Sequence, residues 1–246
     1  MMAVGAPLLT LSGVSKHFGG LQVINDLDFV VHETETVGLI GPNGAGKSTV
    51  FNLITSIYQP DRGSITFKGT EITGLAPHKI CHMGISRTYQ LVRAFLKMTV
   101  MQNVMTAAVY GVKHHEQSPK QRAAEALELV ELSHKRDVNA AHLTLSDRRL
   151  LEIAMGLSSM PSLILLDEPM AGLTEVEIQH LLEVIGTTRD ERSFSILWIE
   201  HKVDAVLDFC DRVGVIDYGV KIADGCPDDV ACDAKVIEAY LGEPVA

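Results

Sequence analysis

Apolar residues follow two spacings along the chain. Residues 8–11 and 27–31 are short apolar-rich runs, each followed by turn-forming or polar residues, which predicts strands. Residues 36–40, TVGLI, form an apolar run that ends against a glycine, the pattern of a parallel strand buried on both faces. Beyond it Val50, Phe51, Leu53 and Ile54 recur at helical spacing and predict a helix starting near Gly46. From 100 to about 157 the helical period dominates. In PKQRAAEALELVEL, Pro119 takes a first-turn position, and Ala123, Ala126, Leu127 and Val130 share one face. Strand-like runs return in SLILLDEP and SFSILWIEH, with the amphipathic EVEIQHLLEVIGTTRD between them. DRVGVIDYGVKIADG predicts two short strands joined at Tyr218 and Gly219, and a last helix covers about 234–241.

Strands alternating with helices, interrupted by an all-helical block, predict an α/β fold. The expected organisation is a core over 1–90 and 159–246, an antiparallel β region within it, and a helical subdomain inserted at 91–158. No internal repeat or low-complexity linker breaks the chain. The composition, 46% apolar and 21% charged, fits a globular protein rather than a disordered or fibrous one. A formal charge of −10 opposes a broad nucleic-acid interface, which needs a basic face. The start has no basic segment followed by a long apolar run, and no run approaches the roughly 18 apolar residues of a spanning helix. A cytosolic protein able to dock on a membrane partner is expected. The four cysteines, Cys81, Cys210, Cys226 and Cys232, form no Cys-x-x-Cys pair and read as buried free thiols. His78 and His82 stand four apart with Cys81 between them, a metal-ligand spacing on a possible helix that a packed or solvated face accounts for better.

Residues 41–48, GPNGAGKS, fit the G-x-x-x-x-G-K-[ST] phosphate loop. Glycines let backbone N–H groups close around phosphate oxygens, and the following helix aims its positive end at them. Lys47 would reach the β- and γ-phosphates, Ser48 would offer an oxygen to Mg²⁺, and Thr49 would lie near the α-phosphate. Asn43, Gly44, Ala45 and Gly46 complete the nucleotide-binding set. The buried strand before and the apolar helical face after are the context this motif needs. The chain is expected to bind a nucleoside triphosphate.

LLDE at 165–168 is an apolar run that ends in two carboxylates. A strand buried on both faces delivers its last residues to the sheet edge where ligands bind in open α/β folds. Asp167 there can hold Mg²⁺ through water, and Glu168 can polarise an attacking water as general base. His201 follows another apolar run, and Gln90 sits where the α/β pattern gives way to the helical block.

Together the phosphate loop at 41–49, Gln90, LLDEP at 165–169 and His201 resemble the ATP-binding cassette (ABC) ATPases in order and spacing, over nearly the whole chain. The resemblance implies a P-loop NTPase core, with ATP and Mg²⁺ as cofactors. It makes Phe18 the aromatic that stacks on adenine and adds Val23 to the nucleotide-binding residues. Gln90 becomes the residue linking Mg²⁺ to a transmembrane partner, and His201 the γ-phosphate contact. At Thr174 the family commonly has an aspartate that reaches across the dimer. Within the family, GVSKHFGGLQVINDLDF, FNLITSIYQPDRGSITFKGTEITGL, GISRTYQ and the ending VIEAYLGE are similar to the ATPase subunits of branched-chain amino acid importers. The lipopolysaccharide-export ATPase is a near relative with a similar tail.

In this family a helix start bearing LSGGQ completes the ATP site of the opposite subunit. Counting back without gaps from LEIA and LLDEP, the matching positions are Leu143, Thr144, Leu145, Ser146 and Asp147. A register shifted by a two-residue deletion aligns Leu145 and Ser146 with the first two positions and restores the motif no better. Thr144 keeps a hydroxyl, and Thr144 and Ser146 are the nucleotide-contacting candidates. The two glycines are lost, and Asp147 puts a negative charge near a phosphate site unless Arg148 or Arg149 offsets it.

The resemblance therefore implies an ATP-hydrolysing subunit on the inner face of the membrane, with Glu168, His201 and Gln90 as catalytic residues and Ser48, Gln90 and Asp167 as metal ligands. Its partners would be transmembrane permease subunits, a second ABC ATPase and, indirectly, a solute-binding protein. No nucleic acid is expected. The intact Lys47, Asp167, Glu168 and His201 beside an altered signature point to a heterodimer with one strong and one weak ATP site. Alternative readings are a regulatory, low-activity nucleotide-binding subunit or a lipopolysaccharide-export-type ATPase.

Overall fold

A computed structural model describes residues 5–90, 93–112 and 116–241. In chain order the first elements are β1 (Pro7–Phe18), β2 (Leu21–His32), β3 (Thr36–Ile40), α1 (Lys47–Ile54), β4 (Arg62–Phe67) and β5 (Thr70–Glu71). Then come α2 (Pro77–Met83), β6 (Ile85–Arg87), α3 (Val100–Tyr110), α4 (Pro119–Leu129), α5 (Leu145–Ser158), β7 (Leu163–Asp167) and α6 (Glu175–Arg192). The chain continues through β8 (Ser195–Ile199), α7 (Val203–Phe209), β9 (Arg212–Asp217), β10 (Val220–Gly225), α8 (Pro227–Ala231) and α9 (Ala234–Leu241). The last two residues of VIEAYLGE, Gly242 and Glu243, lie outside the described residues.

Two compact units result, one from the segments before 81 and after 194, the other from 81–194. In the first, β1 is central to an antiparallel sheet ordered β2-β1-β4-β5. Beside it β3 runs parallel to both β8 and β9, and β10 returns antiparallel to β9. All five residues of β3 are buried, as the unbroken apolar run predicts, because neighbours and covering helices leave neither face to water. Strands β1 and β2 extend well beyond the predicted runs. Their exposed residues are interspersed with buried ones such as Leu11, Val14, Leu27 and Phe29, and register shifts bend the pair. The β9–β10 turn falls at Tyr218 (φ 42°) and Gly219 (φ 77°), the doubly left-handed geometry of a tight hairpin.

In the second unit β6 pairs parallel with β7. Helices α3, α4 and α5 pack on one another, and α6 touches α5. Each of these four helices opens on a capping box, at Thr99–Gln102, Ser118–Gln121, Thr144–Asp147 and Thr174–Glu177, which satisfies first-turn N–H groups that would otherwise lack partners. Thr174 is thus occupied in starting α6.

The cysteine expectation holds at Cys210 only: Cys81 is partly buried, and Cys226 and Cys232 are exposed at the two ends of α8. Cys81 donates its thiol proton toward the Tyr110 carbonyl at 3.8 Å, and burial raises its pKa, so it stands as a neutral donor rather than a thiolate ligand.

Candidate functional site

The phosphate loop, residues 41–48, runs from the end of β3 into the first turn of α1. Burial of Val50, Phe51, Leu53 and Ile54, about 1.5–3 kcal/mol for each side chain, pins the helix that follows. Two of the loop's glycines, Gly41 and Gly46, are sterically required. At Gly41 (φ 149°) an added Cβ would lie 2.0 Å from the Ile216 carbonyl oxygen of β9. At Gly46 (φ 107°), the N-cap of α1, it would lie 2.6 Å from Ile24 Cδ1 and 2.9 Å from the Val23 carbonyl oxygen. At Gly44 nothing stands within 4 Å, so the loop's outer turn faces open space, as a phosphate cradle must. Lys47 is 6% exposed, and its Nζ donates to the carbonyls of Gly41 (2.6 Å) and Pro42 (3.0 Å). The Gly219 N–H donates to Ala45, tying the β9–β10 turn to the loop.

Phe18, at the end of β1, is 38% exposed and meets Tyr58 edge-on with ring centroids 5.0 Å apart. Lys16 Nζ lies 5.5 Å from the Phe18 centroid and is ion-paired to Asp61. Val23 sits on β2 with its carbonyl against Gly46. His201 follows β8, is exposed, and donates its backbone N–H to the buried Glu200 carboxylate. These residues all belong to the first unit.

The second unit gathers Gln90, Asp167 and Glu168. Asp167 closes the fully buried β7, and its Oδ2 accepts from Arg87 Nη2 at 2.7 Å, both side chains being 7% exposed. Glu168 has a left-handed backbone, φ 49°, an unusual conformation for a residue with a long side chain. Gln90 is exposed, and its Nε2 donates to Glu168 Oε2 at 2.7 Å. The backbone around Gln90 is held from α5. The Tyr89 N–H donates to Glu152 Oε1 at 2.8 Å, and Arg149 donates to the carbonyls of Tyr89 (3.1 Å) and Gln90 (2.8 Å). Burial raises the Glu152 pKa to about 7, although the Tyr89 N–H and the Arg149 charge both pull it down.

Thr144 and Ser146 stand at the start of α5. The Thr144 hydroxyl accepts from the Asp147 N–H at 3.1 Å. Leu145 and Ser146 are helical, so neither position needs a glycine's positive φ. The Asp147 charge is met by Lys135, whose Nζ contacts both carboxylate oxygens at 2.7 Å. Neither arginine weighed as a possible offset supplies it: Arg148 donates to the Ala141 carbonyl and Arg149 to the Gln90 loop. Burial opposes ionisation of Asp147, but Lys135 and Thr144 hold its pKa below the usual 3.8. A lowered carboxyl pKa stabilises the fold above about pH 3.8 and is lost as pH falls through the folded value. Asp147→Asn is therefore expected to cost about 1 kcal/mol at pH 7 in urea unfolding, with the gap closing as the pH falls below the usual carboxylate range.

The ABC transporter family model matches residues 24–171, and a model of the branched-chain amino acid ATP-binding cassette transporter matches residues 220–246. The high-affinity branched-chain amino acid transport ATP-binding protein BraF of Pseudomonas aeruginosa is 38% identical, covering 96% of this chain and 98% of its own length. The chain belongs to the ABC transporter family. The cassette is also 36% identical to the lipopolysaccharide export system ATP-binding protein LptB of Haemophilus influenzae, with the same coverage. A solved ATP-binding cassette of an ABC transporter in its ADP conformation matches its fold with a TM-score of 0.87 at 30% identity, covering 96% of this chain and 99% of that one. The cassette has the P-loop NTPase fold, binds nucleotide and is an ATP hydrolase. Among the described residues no helix is long and apolar enough to cross a membrane.

Sequence reasoning passed over Arg87, Lys135 and Glu152, and weighed Arg149 only as a possible offset to Asp147. The clue for Arg149 and Glu152 was charge inside the apolar stretch RRLLEIA, three residues apart and therefore on one helix face. Lys135 lies twelve residues from Asp147 and carries no comparable signal.

Proposed function

We propose that this cassette energises uptake of branched-chain amino acids or related small organic solutes, docked on transmembrane permease subunits at the inner face of the membrane. The match of residues 220–246 to the branched-chain cassette model carries this reading. A solute-binding protein would act on the far side, through the permeases. Lys47 and the N–H groups of 43–49 would bind the phosphates, with Phe18 and Val23 at the adenine. Ser48, Gln90 and Asp167 offer the hard oxygen ligands that Mg²⁺ takes. Bound Mg²⁺ would supply charge neutralisation for phosphoryl transfer. Glu168 would accept the proton of the attacking water, with Gln90 orienting its carboxylate, and His201 would donate to the γ-phosphate. ATP-dependent uptake of leucine into vesicles carrying the assembled transporter tests the cargo. ATP turnover stimulated by lipopolysaccharide and not by a loaded amino-acid-binding protein would favour the export reading instead.

The partner cassette is proposed to be a different chain. Lys135 neutralises Asp147, so charge no longer argues against this signature. Leu145 does: it is 44% exposed at the first turn of α5, where the family's glycine lets a phosphate approach the backbone. The pocket completed by this chain would be the weak one. Disabling the glutamate base in this chain should then lower turnover far more than the same change in its partner, and equal losses would rule the asymmetry out.

A further inference from the structure

We propose that Arg149 and Glu152 are positioning residues that clamp the Gln90 loop onto the signature helix α5 and, through Gln90, set the orientation of Glu168. The inference rests on the reading of Glu168 as the base of an ABC ATPase.

The two side chains are 4% and 7% exposed, and stand one turn apart on α5. Their closest mutual approach is 3.7 Å, longer than a hydrogen bond. Their short contacts go to the loop instead. Glu152 takes the Tyr89 N–H, while the Arg149 guanidinium spans the Tyr89 and Gln90 carbonyls and reaches the Ala171 carbonyl at 3.5 Å. One guanidinium therefore contacts the backbone of Gln90 and the segment that follows Glu168. The Tyr89 ring adds a second hold, with Arg93 at 4.0 Å and Arg87 at 5.0 Å from its centroid. The Gln90 side chain is exposed, and it bonds Glu168.

A buried guanidinium and carboxylate are costly to desolvate, and an apolar pair of equal volume commonly serves stability as well or better. What the charged pair gives is strong, directional partners for three peptide groups of an otherwise irregular segment. The first turn of α5 carries Thr144 to Asp147, the segment that meets the opposite subunit in this family. A shift of α5 therefore displaces the Gln90 backbone, and the Gln90 amide carries the displacement to Glu168.

The test is steady-state ATP turnover in the assembled transporter, with Arg149→Met, Arg149→Lys, Glu152→Leu and Glu152→Gln compared at matched folded concentration. Arg149→Met and Glu152→Leu are expected to lower kcat by about 10–100-fold with KM for ATP changed less than about twofold, since they misplace the base without touching nucleotide. Glu152→Gln keeps an oxygen for the Tyr89 N–H and should recover most of the loss. A lysine ammonium lacks the planar fork by which the guanidinium reaches the Tyr89, Gln90 and Ala171 carbonyls from two nitrogens, so Arg149→Lys should lose about 5–10-fold. On a Gln90→Ala background the Arg149 changes should cost little more, because the path runs through Gln90. Unchanged kcat, losses that multiply with Gln90→Ala, or a rise in KM alone would overturn the proposal. If Arg149→Met does not fold, the Arg149→Lys cycle with Gln90→Ala decides it. Absence of Glu168-dependent turnover in the unmodified transporter would instead overturn the underlying reading.

Discussion

Glu168→Gln is expected to lower ATP turnover by about 10²–10⁴-fold, the usual contribution of a positioned general base. Glutamine keeps the shape of the side chain but cannot take a proton from water. Glu168 is suited to this role by position: it follows the buried β7, in a backbone conformation that turns the chain sharply, with its carboxylate held by Gln90 at 2.7 Å. The substitution leaves the phosphate loop alone, so nucleotide affinity should stay within about twofold of wild type. Single-turnover hydrolysis measured beside a nucleotide-binding titration separates the two. Turnover within about threefold of wild type would remove Glu168 from the proposed chemistry and leave the proton acceptor to be found elsewhere.

Lys47→Ala is expected to weaken ATP binding by about 100-fold, close to 3 kcal/mol, the scale of a lost charge-assisted contact to phosphate. Two effects add. The ammonium that would meet the phosphates disappears, and so does the brace it forms across the loop to the Gly41 and Pro42 carbonyls. Because Lys47 is buried against its own loop, the nucleotide-free protein should also lose stability, by about 1–2 kcal/mol. Fluorescent-nucleotide titration and thermal unfolding without nucleotide read the two effects independently. Weaker binding with unchanged stability would mean that the lysine serves the ligand alone.

The sequence revealed elements whose burial is uniform or strongly periodic. Strands β3, β7 and β8 are unbroken apolar runs, α1 and α4 carry clear stripes, and the β9–β10 turn has the residues a tight hairpin needs. The outer halves of β1 and β2 escaped, because exposed polar residues there interrupt the apolar signal. Strand β6, only Ile85 to Arg87, is too short for any period and is fixed by pairing with β7. The same holds for the site. Lys47, Asp167 and Glu168 follow from local motifs, since strand–loop–helix and strand–acid patterns lie within a few residues. The support around them does not. Arg87 meets Asp167 across 80 positions and Glu152 meets Tyr89 across 63, separations that only the folded chain brings together. At Asp147 a local reading could weigh only the neighbouring arginines, and the fold supplied Lys135.

The most direct test is Mg·ATP hydrolysis by the purified chain over a range of concentrations, alone and with a second cassette of intact signature plus the permease subunits, using Glu168→Gln as the blank. The chain alone should bind ATP with little turnover at any concentration, and the complete assembly should show turnover that the blank lacks. Turnover by the chain alone that rises with its own concentration and vanishes in the blank would contradict the account, because the signature at 143–147 would then suffice for self-pairing.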